Sequence, residues 1–146
     1  MVIGSVVGSE AYLSDDRTGI YSEYSFAVSE VLKDSTGAIG FGSIPVVRLG
    51  GAVRFKAGKI QRYEISRQGA PQTGAQYVFF LRRTDGDLFL LTGYEFSNGR
   101  VTPLDGEQEK EPRMALPFSK YRNTAESEFF KDLRDAIGRK KEEGTL

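Results

Sequence analysis

The sequence predicts a mainly β domain, an antiparallel barrel of five or more strands followed by one C-terminal helix. Three observations predict it. Most of the 17 glycines punctuate short runs rich in valine, isoleucine, tyrosine and phenylalanine. Two dipeptides, Asp85-Gly86 and Asn98-Gly99, each separate two such runs and suit the positive φ of a two-residue hairpin turn. Beyond residue 123 the apolar spacing lengthens from two to three or four. At 146 residues, 39% hydrophobic and 27% charged, the chain has the size and composition of one ordered domain with a single core. The expected division is a barrel over 2–104, a connecting loop over 105–122 and a capping helix over 124–140.

Residues 2–9 form the first expected strand, and residues 14–19 are a polar, acidic hairpin turn. From Tyr24 an inward set, Tyr24, Phe26, Val28 and Leu32, alternates with Ser25, Ala27 and Ser29. Glu30 falls on the apolar set and Val31 off it, which predicts a bulge near Ser29 and Glu30. Residues 44–49 are apolar, and Pro45 places the start of that strand at a sheet edge. Val53 and Phe55, then Tyr63 and Ile65, alternate with charged residues and read as two half-exposed strands with these four side chains inward. Residues 68–74 are turn chemistry. Residues 76–82 are the most hydrophobic strand, predicted to be central and covered on both faces. In the C-terminal segment Asn123 with Glu126, or Thr124 with Ser127, offers a helix cap. Phe130, Leu133 and Ile137, with Phe129 beside them, form a stripe suited to covering an open barrel end. Arg139, Lys140 and Lys141 suit the negative end of the helix dipole.

The runner-up architecture is an immunoglobulin-like β-sandwich. Its cysteine and tryptophan markers are missing and the late helix argues against it.

Chemistry is bounded by two zeros, for the chain has no cysteine and no histidine. Histidine-activated serine or cysteine nucleophiles, the common zinc sites, haem ligation through histidine and disulfides are excluded within it. No cofactor is expected. The pairs Asp15-Asp16 and Asp85/Asp87 could supply a two-carboxylate hydrolase or part of a calcium site, but aspartate beside glycine is what turn formation alone selects. The glycine-rich stretch 37–42 lacks the order of a phosphate loop and reads as a connection. No run approaches the roughly 20 apolar residues of a membrane helix. The opening on a core strand suggests a leader preceding Met1.

Charge is the more informative feature. The 20 basic and 20 acidic residues cancel overall, yet residues 41–83 hold eight basic residues against one acid, about +7. By the same count residues 1–40 come to about −4 and residues 84–111 to about −5. If Val53, Phe55, Tyr63 and Ile65 turn inward, Arg54, Lys56 and Arg62 share an outer face, flanked by Arg48 and Arg67. These five residues are the candidate binding face for a protein or an anionic ligand. A pI near 6.4 argues against nucleic acid, as does the placing of Phe55 and Tyr63 in the core rather than as stacking platforms.

The opening Val2-Ile3-Gly4-Ser5-Val6-Val7 strand, the strand ending Glu30-Val31-Leu32-Lys33, and Pro71 and Gly74 ahead of Tyr77-Val78-Phe79-Phe80-Leu81 carry a resemblance. Over roughly residues 2–104 the chain resembles bacterial, mostly uncharacterised relatives of the netrin-like, or tissue-inhibitor-of-metalloproteinases-like, domain. The resemblance implies an oligonucleotide/oligosaccharide-binding (OB) barrel and an exported, periplasmic or extracellular location. In the inhibitor family an N-terminal cysteine chelates the protease zinc; this chain has none, so that mechanism does not carry over. The expected function is a non-catalytic binding domain recognising a protein or polyanion through its loops and basic face. Alternatives are a protease inhibitor with a cysteine-independent mechanism and, last, a carboxylate-based hydrolase.

Overall fold

The computed structural model describes residues 1–15, 18–34, 39, 42–106 and 121–143, the side chains of 139–143 excepted. The strands are β1 (Val2–Leu13), β2 (Ile20–Val31), β3 (Gly42–Leu49), β4 (Gly51–Arg54), β5 (Ile60–Tyr63), β6 (Gln76–Thr84), β7 (Asp87–Ser97), β8 (Arg100–Pro103) and β9 (Thr124–Ala125), followed by helix α1 (Glu126–Glu143).

Five strands close into a barrel. The sheet runs β3-β2-β1-β6-β7-β8-β9, and a parallel bridge between Val47 and Phe89 joins β3 to β7 and shuts the cylinder. This closure sets aside the sandwich. Every other neighbouring pair in the sheet is antiparallel. Pro45 lies two residues before the bridge, on an exposed stretch of β3, where its missing N–H costs no ladder bond toward β7.

Strand phase explains what fills the interior. Tyr24, Phe26 and Val28 point inward to meet Val2, Val6, Val46, Tyr77, Phe79 and Leu90. Phe26 and Phe79 stack with ring centroids 4.3 Å apart. The phase slip at Ser29 is a bulge: Ile3 pairs with Glu30 and Gly4 with Val28, so Ser29 is the extra residue, and its hydroxyl donates to the Ile3 carbonyl at 3.1 Å. A second bulge at Val7, which no break in the alternation announces, leaves Val7 exposed. β1 extends to Leu13, four residues beyond the expected strand. It ends in a turn where Ser14 N donates to the Gly19 carbonyl and Gly19 N to Ser14 Oγ. Both two-residue turns have positive φ at each position, 51° and 85° at Asp85-Gly86 and 54° and 74° at Asn98-Gly99.

β6 is buried on both faces over Tyr77, Val78 and Phe79, while Gln76 and Arg82, the ends of the expected run, are exposed. Tyr77 and Phe79 face the barrel interior; Val78 faces outward into a second core with Tyr94, Phe96, Val101 and Phe129. Helix α1 makes that second core by lying on the outer face of β6, β7 and β8. It does not plug a barrel end, and Phe129, rather than Phe130, Leu133 or Ile137, is its deepest anchor. Neither expected cap forms. Asn123 adopts a left-handed φ of 61°, and Thr124-Ala125 pairs as β9 with β8. The first helical amide, Glu126 N, then donates to the Gly99 carbonyl at 2.8 Å, a strand-turn acceptor replacing a side-chain cap. The cationic last turn, the stretch 35–38 and most of the 105–122 loop lie outside the described side chains.

Burial in this second core pushes the Tyr94 hydroxyl up to about 12, with Tyr121 adding to the rise. A tyrosine ionises near 10 when unfolded, so above that pH the unfolded state releases a proton that the native state keeps. Stability from this group is complete below about pH 10 and falls as pH rises toward 12. Urea midpoints measured from pH 9 to 12 are expected to drop, and to drop less in Tyr94→Phe; an identical profile for the variant would remove Tyr94 as the source.

Candidate functional site

Two surfaces of opposite sign meet at a ribbon outside the barrel. The chain leaves β3 through Gly50 and Gly51, at φ 111° and 142°. A Cβ on Gly51 would lie 2.5 Å from Ser22 Oγ, so backbone freedom and close approach both call for glycine. The base of the ribbon is tied down by Gly50 N to the Ile20 carbonyl (2.7 Å), Ser22 Oγ to the Gly50 carbonyl (2.7 Å) and Gln68 Nε2 to the Leu49 carbonyl (2.6 Å). β4 and β5 then pair only with each other.

This placement corrects the sequence reading of the ribbon. All four β5 residues are exposed, and Tyr63, expected in the core, is 39% exposed. Register decides the faces, since directly paired residues share one. Ala52 pairs with Arg62 and Arg54 with Ile60, which puts Arg54 and Arg62 on one face with Ile60 between them; Val53, Gln61 and Tyr63 occupy the other. Lys56 sits in the connecting turn, which is closed by Phe55 N to the Lys59 carbonyl. Arg67 is separate, exposed in the following loop with φ 64°.

Arg48 does not belong to the basic face. On β3 it alternates with Val46 toward the interior, and with Asp105 it forms a buried pair at 2.6 Å, the two side chains 7% and 12% exposed. Its guanidinium also donates to the Gly69 and Leu91 carbonyls, while Asp105 accepts from Gly69 N (2.8 Å) and Thr92 Oγ1 (2.7 Å). The network latches β3, β7, the 66–70 loop and the exit of β8. Gly69 is required where these segments cross, because a Cβ there would overlap the Leu104 carbonyl.

On the other side of the ribbon, Tyr63 borders a cleft of about 570 Å³ on the outer wall of the barrel. Its floor is Val47, Leu49 and Phe89, the outward residues at the barrel's closing bridge. Tyr12 and Tyr21 pair across β1 and β2 with stacked rings, centroids 6.1 Å apart, and Tyr63 leans in from the ribbon. Asp15, from the β1–β2 turn, and Asp87, from the start of β7, line it on separate segments. The Tyr12 hydroxyl is pushed above its usual range, first by partial burial and then by the carboxylates of Glu23 and Asp87. The lining contains no lysine or arginine among the described residues.

Sequence reasoning missed this cleft. Asp15 and Asp87 each have a sufficient local explanation as turn residues, and nothing local brings positions 72 residues apart to one wall. The signal present was Tyr12 and Tyr21 flanking the turn symmetrically. Asp16 lies outside the described residues, and Asp85 is spent on its turn, at φ 51°.

No family model, no curated protein and no solved structure matches the chain. Among the described residues no helix is long and apolar enough to cross a membrane.

Proposed function

We propose that the chain is a non-catalytic binding domain of OB type that engages a protein partner across the outer face of β1, β2 and β3. The observation that carries this reading is the aromatic cleft and its position. OB barrels are five-stranded and bind ligands on the face of their second and third strands, between the loops joining strands one to two and four to five. Here the cleft rests on β2 and β3, with Asp15 in the first such loop and Asp87 following the second. The netrin-like resemblance of residues 2–104 points to the same barrel. Asp15 and Asp87 are both exposed on this cleft, and the reading takes them as binding groups.

A second reading keeps the basic face, favoured by Arg54 and Arg62 lying together with Lys56 at the tip; its partner would be anionic. One experiment separates the two, because residues 62 and 63 sit on opposite faces of the same strand. A photo-cross-linking benzoylphenylalanine is placed at position 63 or at position 62 in the producing cells. Protein adducts from position 63 and none from 62 are the expected result. Adducts from 62 alone would transfer the function to the basic face, and adducts from neither would overturn the binding reading.

A further inference from the structure

We propose that the cleft recognises lysine or arginine side chains carried on an extended segment of a partner protein. The inference rests on the binding role of this face and names its partner's chemistry. Three observations on this face point to a cation.

The first is the pairing of rings with carboxylates. Tyr12 and Tyr63, 40% and 39% exposed, present aromatic surface in the cleft that Asp15 and Asp87 also line. A ring face attracts an ammonium or guanidinium group through its quadrupole, and a carboxylate beside it fixes the charge. The apolar floor of Val47, Leu49 and Phe89 suits the aliphatic stem of such a side chain.

The second is an uncompensated like-charge pair. Glu10 lies directly across from Glu23, two residues along from the Tyr12–Tyr21 pair and on the same outer face. Like charges in that position repel, and among the described residues no ion pair relieves either. A cation laid along the face would offset the repulsion.

The third is the sorting of charge by the ribbon, whose register puts Arg54 and Arg62 on the face opposite Tyr63, so that Tyr63 lines the cleft and neither arginine does.

The shape selects the source. The cleft is an open trough on a sheet face, whereas small-molecule sites enclose most of their ligand. Its acidic positions continue along the strands to Glu10 and Glu23; Glu10 is three strand residues, about 10 Å, from Leu13, where the Asp15 turn begins. In an extended peptide, alternate side chains repeat every ~7 Å on one side, so two cations can engage both ends of the strip at once.

The test uses the intact protein and a fluorescent peptide with lysine at every second position, its counterpart with every lysine Nε-acetylated, and spermidine. Anisotropy is expected to show binding of the lysine peptide, weakened about tenfold by acetylation, by Asp15→Asn/Asp87→Asn and by Tyr63→Ala. Tyr63→Phe should bind as wild type. Glu128→Gln, on the exposed face of α1, removes one charge elsewhere and should change nothing. Equal binding of the acetylated peptide, or binding indifferent to the cleft variants, overturns the proposal. Spermidine binding as tightly as the peptide overturns the protein-borne source. Cross-linked adducts at position 63 combined with no lysine-peptide binding would sink the cation preference alone and leave the binding role standing.

Discussion

Asp105→Ala is expected to cost about 3–5 kcal/mol, a large part of the 5–15 kcal/mol typical of a single domain. The alanine leaves the Arg48 guanidinium inside the barrel with its charge unmatched, and it also strips an acceptor from Gly69 N and from Thr92 Oγ1. Arg48 cannot swing out to water, since β3 is held on one side by β2 and joined to β7 at Val47, one residue away. The double variant Arg48→Met/Asp105→Leu is expected to lose less than Asp105→Ala alone. It removes both charges, fills the space with apolar atoms and leaves the two donors at the cost of ordinary hydrogen bonds. Urea unfolding of wild type and the two variants measures the difference. A loss below about 1 kcal/mol for Asp105→Ala would mean that the pair holds nothing together.

That latch marks a boundary of what the sequence reveals. Ile44, Val46 and Arg48 share one face of β3 while Pro45, Val47 and Leu49 share the other, and both sets are apolar enough that the alternation carries no direction. Arg48 therefore reads as a surface cation until β7 is set beside the strand. Asp105 has the same ambiguity within an acidic loop. By contrast, Asp85-Gly86 and Asn98-Gly99 are legible because the turn itself demands positive φ, and the Ser29 bulge is legible because Glu30 breaks a clear phase. Two-sided burial of β6 follows from a run with no polar face. The parallel β3–β7 bridge has no local signature, so barrel closure, the cleft built on it and the meeting of Asp15 with Asp87 emerge only in three dimensions. The ribbon misleads for a related reason: Tyr63 alternates as a core residue does, but it packs toward an external cleft.

Phe129→Ala is expected to cost about 3–5 kcal/mol and to release the helix from the sheet. Phe129 is 1% exposed and holds Tyr94, Tyr121 and Phe96 at ring-centroid distances of 4.8, 5.1 and 6.0 Å. Alanine forfeits the transfer of the ring and leaves a hole that these three aromatic neighbours cannot collapse into without abandoning their own packing. Among the described residues the helix's other side-chain anchors, Phe130 and Leu133, are only partly buried. The Arg134–Glu30 pair is about half exposed on both sides and contributes ~0–1 kcal/mol, and Phe130 is only half-buried, so Phe130→Ala should cost clearly less than Phe129→Ala. Location of the damage is the sharper readout. Because α1 covers the outer face of β6, β7 and β8, amides of residues 126–138 should lose hydrogen-exchange protection while those of β1 and β2 keep theirs. A helix seated in the barrel mouth would behave otherwise, since its release would expose Phe26 and Phe79 and drain protection from the inner strands. Proportionate loss in β1, β2 and α1 would return the helix to that position; loss confined to α1 and the strands beneath it holds it to the outer wall.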